Sequence, residues 1–274
     1  MATRIGFIGL GNIGKPMAIN LAKDGFDLMV HDVRPEPVSE LVALGAKAAA
    51  SPLDIGRHAE IVEITVMNDA QVEAVTLGPN GLLQTLRPGS VVAIHSTVHP
   101  RTVKKVAEAG KARGITVFDA QVSGGAKGAA ARTLAYMVGG DAATLERCRP
   151  VFATSAGNIF HLGPLGSGAA AKIAHNLIVY VNFLAAAEGM RLAKKLGIDL
   201  DAFEALVRVS GGQSRAMDTW QERRRSWDAD PRPERLPELY HKDLSLALAL
   251  GHEAGVELPG AALTQQMIDM ILHW

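Results

Sequence analysis

Residues Arg4 to Met17 read RIGFIGLGNIGKPM. A short apolar run, Ile5, Phe7 and Ile8, leads into Gly9-x-Gly11-x-x-Gly14, and a helical pattern with Met17, Ala18 and Leu21 continues to Gly25. The order is strand, glycine turn, helix. The first glycine permits a tight turn. The second lets a pyrophosphate approach the backbone with no Cβ in the way, and the third lets the helix pack closely on the strand. The helix start then offers N–H groups and a positive dipole end to phosphates. A glycine turn alone is a weak signal. Here a second apolar run, Phe26 to Val30, ends in Asp32, 23 residues after Gly9. That is near the roughly 20 expected of the acidic residue that holds an adenosine ribose. The stretch predicts a dinucleotide site, with Gly9, Leu10, Gly11, Asn12, Ile13 and Gly14 around the phosphates and Asp32, Val33 and Arg34 at the ribose.

The first half keeps alternating. Apolar, β-rich runs at Ile5–Ile8, Phe26–Val30, Ile61–Met67, Val91–His95 and Ile115–Phe118 are separated by helical patterns at Pro16–Asp24, Val38–Leu44, Ala70–Leu77 and Arg101–Arg113. Further strands are expected at Thr133–Val138 and Asn158–His161, with a helix at Ala142–Phe152 between them. Such alternation predicts an α/β Rossmann-type domain with a parallel-rich sheet covered on both faces. The character changes at Gly163-Pro-Leu-Gly-Ser-Gly168, and no strand pattern follows. Ala169 to Leu196 reads as one long, alanine-rich helix closed by Gly197, with helices at Leu200–Val209, Leu244–Ala254 and Ala261–His273 after it. The expected division is a dinucleotide-binding domain over 1–162 and an all-helical domain over 163–274, joined by that long interdomain helix. A helix of that length and apolarity seeks burial all round, which predicts a homodimer or homotetramer.

At 274 residues, 48% hydrophobic and 20% charged, the chain is suited to a packed core. Lys plus Arg equals Asp plus Glu, 28 each, so the chain has no bulk attraction for nucleic acid or an anionic membrane. Cys148, the single cysteine, excludes a disulfide framework, and the histidines show no metal-ligand spacing. The uncharged stretch Ile173–Ala187 is interrupted by polar residues and is shorter than a membrane span. A cytoplasmic protein is expected, with neither nucleic acid nor membrane as partner.

Chemistry is expected at two places. Lys172 and Asn176 are four residues apart on the long helix and share a face. A lysine set among Ala169, Ala170, Ala171, Ile173 and Ala174, where the two halves should meet, is a usable proton donor or acceptor. Ser123-Gly124-Gly125 follows a strand, and ligands of open parallel sheets collect beyond the carboxyl ends of strands.

These residues carry a resemblance. GFIGLGNIGKPMAINL, HSTVHP, DAQVSGG, MVGGD, GPLGSGAAAKIAHN and HKDLSLA occur in that order, and with them the chain resembles the β-hydroxyacid dehydrogenase family nearly end to end. This family includes 3-hydroxyisobutyrate dehydrogenase and tartronate semialdehyde reductase. The resemblance implies Lys172 as general acid/base and Asn176 as a hydrogen-bonding partner of the substrate. It implies Ser123, Gly124 and Gly125 as carboxylate binders, with Ser96 or Thr97 beside the nicotinamide and Lys242 reaching over the cofactor with Asp243 beside it. Met67-Asn68 stands where the family usually has Leu-Pro, Gln121 where it has proline, and His175 where it has asparagine. Met67 and Asn68 then fall beside the cofactor, and Gln121 borders the substrate. Asp32 favours NAD over NADP, because a carboxylate accepts from the ribose diol and repels a 2′-phosphate. Arg34, two residues on, is positioned to reach such a phosphate. The expected substrate is a small 3-hydroxy acid or the matching semialdehyde. The alternatives are an NADP-dependent reductase of a semialdehyde or imine on the same fold, and a non-catalytic dinucleotide-binding scaffold. The Ser123, Lys172 and Asn176 set favours catalysis.

Overall fold

The computed structural model describes residues 3–229 and 236–272. His273, the expected end of the last helix, lies outside them. The strands are β1 (Arg4–Ile8), β2 (Asp27–His31), β3 (Lys47–Ala48), β4 (Ile61–Ile64), β5 (Val91–Ile94), β6 (Thr116–Ser123), β7 (Leu134–Gly139) and β8 (Ala156–His161). The helices among and after them are α1 (Gly14–Lys23), α2 (Pro35–Ala43), α3 (Pro52–His58), α4 (Asp69–Leu77), α5 (Pro100–Lys111), α6 (Gly125–Ala130), α7 (Ala142–Phe152) and α8 (Ser167–Lys195). Then come α9 (Leu200–Arg208), α10 (Arg215–Asp218), α11 (Trp220–Ala229), α12 (Leu236–Ala254), α13 (Pro259–Gln266) and α14 (Ile268–Leu272). The chain forms two compact units, residues 1–172 and 173–274.

In the first unit one eight-stranded sheet runs β3-β2-β1-β4-β5-β6-β7-β8. Its first six strands are parallel and follow the doubly wound order, so the chain reverses direction across the sheet between β1 and β4. β4 and β5 are buried at every position, as strands covered on both faces must be. One apolar cluster contains Phe7, Leu21, Phe118 and Phe152; the other contains Ile55, Val92, Val103 and Ala169.

The sequence pattern is corrected in several places. β4 stops at Ile64 instead of Met67, because Thr65 turns to donate its hydroxyl to Gly9 O at 2.5 Å and Asn68 caps α4 by accepting from Gln71 N–H. β6 runs on to Ser123, and β7 pairs with it antiparallel. Residues 124–133 are too few for a parallel crossover, which takes a dozen or more. Helix α3 has a Ser51–Asp54 capping box and Pro52 at its start, but it is short and carries Gly56 inside, so no periodicity marks it.

A polar pair lies inside the sheet. Glu63 on β4 and His95 after β5 are 1% and 4% exposed. His95 Nδ1 is 2.6 Å from Ala120 O on β6, and a carbonyl only accepts, so Nδ1 carries a proton. Its Nε2 then faces Glu63 Oε1 at 3.3 Å.

The second unit is helical throughout its described residues. Tyr180 and Leu184 of α8 pack with Tyr240 and Leu244 of α12 and with Ile268, Ile271 and Leu272 of α14. Ala187 and Met190 pack with Met217 and Trp220. α12 begins at Leu236, ahead of the expected Leu244, and the expected last helix is divided at Met267 into α13 and α14. By length and composition α8 is apolar enough to cross a membrane. Its polar Asn176 and Tyr180 are, however, buried and hydrogen-bonded to another helix, as in a core helix.

Candidate active site

The three glycines of the opening motif have different reasons. Gly9 has φ +93°, and a Cβ there would stand 2.4 Å from Thr65 O. A Cβ on Gly14 would meet Gly9 O at 2.0 Å and Thr65 Oγ1 at 2.1 Å. Both are required by the protein's own packing. A Cβ on Gly11 would meet no atom within 4 Å. Gly11 faces open space, which is the place a pyrophosphate needs against bare backbone. No side chain caps α1 by a hydrogen bond, so its N-terminus is left to Ile13 and the turn. Beside it lies a cavity of about 490 Å³ lined by Leu10, Gly11, Asn12, Lys15, Arg34 and Glu36, among others. The opening motif and the end of β2 thus meet at the reversal point of the sheet.

Asp32 closes this crevice. Its side chain is 7% exposed, whereas that of Arg34 is 47% exposed. Oδ2 accepts from Leu10 N–H at 2.6 Å and from Arg34 Nη2 at 3.3 Å, and Oδ1 from Arg34 N–H at 2.9 Å and Arg34 Nε at 3.1 Å. Burial pushes the Asp32 carboxyl up, but the bonds from Arg34 and Leu10 outweigh it and hold the group below the usual carboxylate value. Val33 is 93% exposed.

The neighbouring strand ends serve the crevice differently. Met67 is 40% exposed. Asn68 is occupied in capping α4, and Ser96 is buried with its Oγ accepting from Val66 N–H at 2.9 Å. Thr97 is half-buried. Gln121, expected among the substrate contacts, lies inside the sheet at 0% exposure, and its Nε2 donates to Ile94 O and Ser96 O at 3.2 Å each. It ties the ends of β5 and β6 together.

Ser123 ends β6 half-buried, and Gly124 and Gly125 beyond it are exposed. Four residues back along the strand, Asp119 is fully buried and accepts from Gly166 N–H at 2.8 Å and Ala169 N–H at 2.7 Å. The first turn of α8 is thereby fastened to β6. Gly168 allows the close approach, since a Cβ there would stand 2.4 Å from Met137 O. Lys172, half-buried, follows Ala169 by three residues. Sequence reading quoted Asp119 within a motif and gave it no role.

In the second unit Asn176 is 7% exposed. Its Nδ2 donates to Asp243 Oδ2 at 2.6 Å, and Tyr180 Oη donates to the same oxygen at 2.7 Å. Lys242 Nζ is 2.8 Å from Asp243 Oδ1. Asn176 Oδ1 lies 3.0 Å from His175 Nδ1. Because a carboxylate only accepts, Asp243 fixes which end of the Asn176 amide faces it. Burial, and then the nearby Asp243 charge, push the Tyr180 phenol far up, so it stays a donor. The sequence placed Asp243 only beside Lys242 and gave Tyr180 no role; the i, i+4 step from Asn176 to Tyr180 was the available signal.

Residues 4–163 match the model of the NAD-binding domain of 6-phosphogluconate dehydrogenase, and residues 166–273 match that described as the NAD-binding region of NADP-dependent 3-hydroxyisobutyrate dehydrogenase. The chain belongs to the β-hydroxyacid dehydrogenase family. It is an NAD(P)-dependent oxidoreductase of that family. It is 37% identical over 266 residues to 2-(hydroxymethyl)glutarate dehydrogenase of Eubacterium barkeri, covering 97% of this chain and 88% of that one. It is 36% identical over 274 residues to an NAD-dependent L-serine dehydrogenase of Pseudomonas aeruginosa, covering 98% and 92%. Among solved structures, 3-hydroxyisobutyrate dehydrogenase of Mycobacterium tuberculosis with L-serine superposes with a TM-score of 0.87 at 32% identity, covering 97% and 92%.

Proposed function

We propose that this dehydrogenase uses NAD in preference to NADP and acts on a small 3-hydroxy acid, with Lys172 as its general acid/base. The observation that carries the reading lies in the first unit. A nucleotide crevice with Gly11 open and Asp32 at its end is built on the same sheet whose strand β6 presents Ser123 and, through Asp119, anchors the helix of Lys172. Relatives that act on L-serine and on 2-(hydroxymethyl)glutarate support a hydroxy acid.

The nicotinamide would supply the hydride acceptor. Ser123 Oγ and the N–H groups of Gly124 and Gly125 hold the substrate carboxylate, a cradle of the kind backbone amides form for anions. Lys172, as the neutral amine, takes the hydroxyl proton; in reduction its ammonium returns it. In the second unit Asn176 keeps one amide N–H on Asp243, and a hydrogen bond to the substrate is the role the family resemblance gives it. Such acid–base help is worth roughly 10²–10⁴-fold. Lys172→Ala is expected to bind dinucleotide normally and to lose at least about two orders of magnitude in turnover. Steady-state assays of NAD reduction across a panel of 3-hydroxy acids, with NADP in parallel, test this; near-normal turnover in the variant refutes the assignment.

An exposed apolar face on α8 supports assembly. Ile178 and Leu192 on it, and Leu196 just after it, are 59%, 61% and 67% exposed, an apolar face suited to a second copy. A homodimer or homotetramer is the reading, and the single buried cysteine fits a reducing, cytoplasmic setting.

A further inference from the structure

β5 and β6 keep backbone register only as far as Ile94 and Asp119. Beyond that point β6 runs on to Ser123, paired to β7, while the chain after β5 leaves through His95, Ser96 and Thr97. Two side chains bridge the parting strands. His95 Nδ1 donates to Ala120 O at 2.6 Å, and Gln121 Nε2 donates to Ile94 O and to Ser96 O at 3.2 Å each. Carbonyls only accept, so the NH₂ end of the amide must face them, and both of its N–H groups are used. The other end, Oε1, is buried without a hydrogen-bond partner among the described residues. Such an orphan acceptor offsets much of what two neutral hydrogen bonds contribute. Gln121 therefore adds little to stability, and what it supplies is spacing. Proline, which the resemblance places here, has no side-chain donor and could make neither bond.

The tie lies on a continuous line across the strand ends. Thr65 Oγ1 donates to Gly9 O at 2.5 Å, the N–H of the next residue, Val66, donates to Ser96 Oγ at 2.9 Å, and Ser96 O accepts from Gln121. Asp119, Gln121 and Ser123 alternate along β6 and so share one face. The line thus joins the glycine turn of the nucleotide crevice, the Ser96–Thr97 end expected beside the nicotinamide, and the strand that ends in the carboxylate cradle. All of these residues belong to the first unit. The geometry points to Gln121 as a positioning residue for hydride transfer: it sets the spacing between the Ser96–Thr97 end of β5 and Ser123, and it touches neither substrate nor cofactor. This rests on the reading of Ser123 as carboxylate holder and of Ser96 and Thr97 beside the nicotinamide. Phosphate binding at Gly11 and carboxylate binding at Ser123 are each local, so neither affinity depends on Gln121. The rate of transfer depends on the separation of the two bound partners, and a misplacement of about 1 Å can cost about 10²-fold.

Gln121→Met keeps the length of the side chain and removes both donors. In crystals of the ligand-free, full-length variant the Cα atoms of Ser96 and Ser123 are expected to part by about 0.5 Å relative to the wild type. In stopped-flow single turnovers the rate of NADH formation is expected to fall about tenfold, with the amplitude, the hydroxy-acid KM and the calorimetric Kd for NADH within about twofold of the wild type. A purely structural role would lower Tm and amplitude and leave the rate alone; that outcome, or an unchanged strand spacing, overturns the inference. A raised KM at normal rate would make Gln121 a substrate contact and overturns it equally. Gln121→Glu, the second variant, sets a carboxylate against two carbonyl oxygens, and burial favours its neutral form. Protonation restores one donor, so its rate relative to the wild type at the same pH is expected to rise as pH falls; a flat ratio overturns the role. A wild type that binds NADH and turns over no hydroxy acid sinks the dehydrogenase reading itself, and this inference falls with it.

Discussion

Asp119 sits 47 and 50 residues before the two N–H groups it accepts, and it is fully buried. Hydrogen bonds to a charged group are worth about 1.5–3 kcal/mol each, and an orphaned buried N–H adds its own penalty. Asp119→Ala is expected to cost about 2–4 kcal/mol in urea unfolding and to lower kcat while the dinucleotide Kd stays near normal. A variant with wild-type stability would show that α8 is fastened elsewhere. Asp32 carries a pH consequence. Its carboxyl is held below the ordinary 3.8 in the folded chain. The stability it contributes is therefore complete above the unfolded value and is lost as pH falls through the lower folded value. Arg34→Leu removes two of the bonds that depress it, so the acid limb of the stability curve should move to higher pH in a series of melts. The sequence marked both carboxylates, one by spacing from Gly9 and one by a motif. What each holds was not legible, because Arg34 is a neighbour in sequence with many rotamers and Gly166 is remote.

At the scale of strands and helices, the parallel half was readable because short apolar runs alternate with helical patterns, and α2 to α5 each start at a cap or a proline. The reversal at β7 was not, because hydrophobic pattern carries no direction; the shortness of residues 124–133 does. The buried Glu63–His95 pair shows the same limit, since alternation says that both side chains enter the sheet and not that they meet. Removing one partner of a buried pair costs about 3–5 kcal/mol, whereas replacing both by apolar groups is often neutral. His95→Leu should thus be strongly destabilising, and Glu63→Leu with His95→Leu should recover most of the loss. A double-mutant cycle from denaturant curves measures the coupling; simple additivity would mean that the two groups do not interact. The helical unit was read least well. Its smallest helices, α10 with four residues and α14 with five, are too short for an apolar period to show.

For the molecule as a whole, composition indicated a packed chain without a disulfide framework, the alternation of strand and helix patterns indicated an α/β fold, and the motif order pointed to the family. The exposed apolar face of α8 is the reason to expect assembly, and sedimentation velocity at micromolar concentration should show a dimer or larger; a monomer would count against it. Cys148 is fully enclosed in the first unit, and burial pushes its thiol up to about 12. Iodoacetamide at pH 8 should leave it untouched in the native protein and label it once the chain is unfolded, so its reactivity reports global opening. The uneven demands of the three opening glycines matter inside a cell. Gly9→Ala and Gly14→Ala drive a methyl into neighbouring atoms, so their phenotype would be scarcity of the protein, cleared by quality control. Gly11→Ala meets only empty space and should accumulate to ordinary abundance, melt like the parent, and ignore dinucleotide in calorimetry. That single methyl would separate what an organism owes to the chemistry from what it owes to the polypeptide's presence.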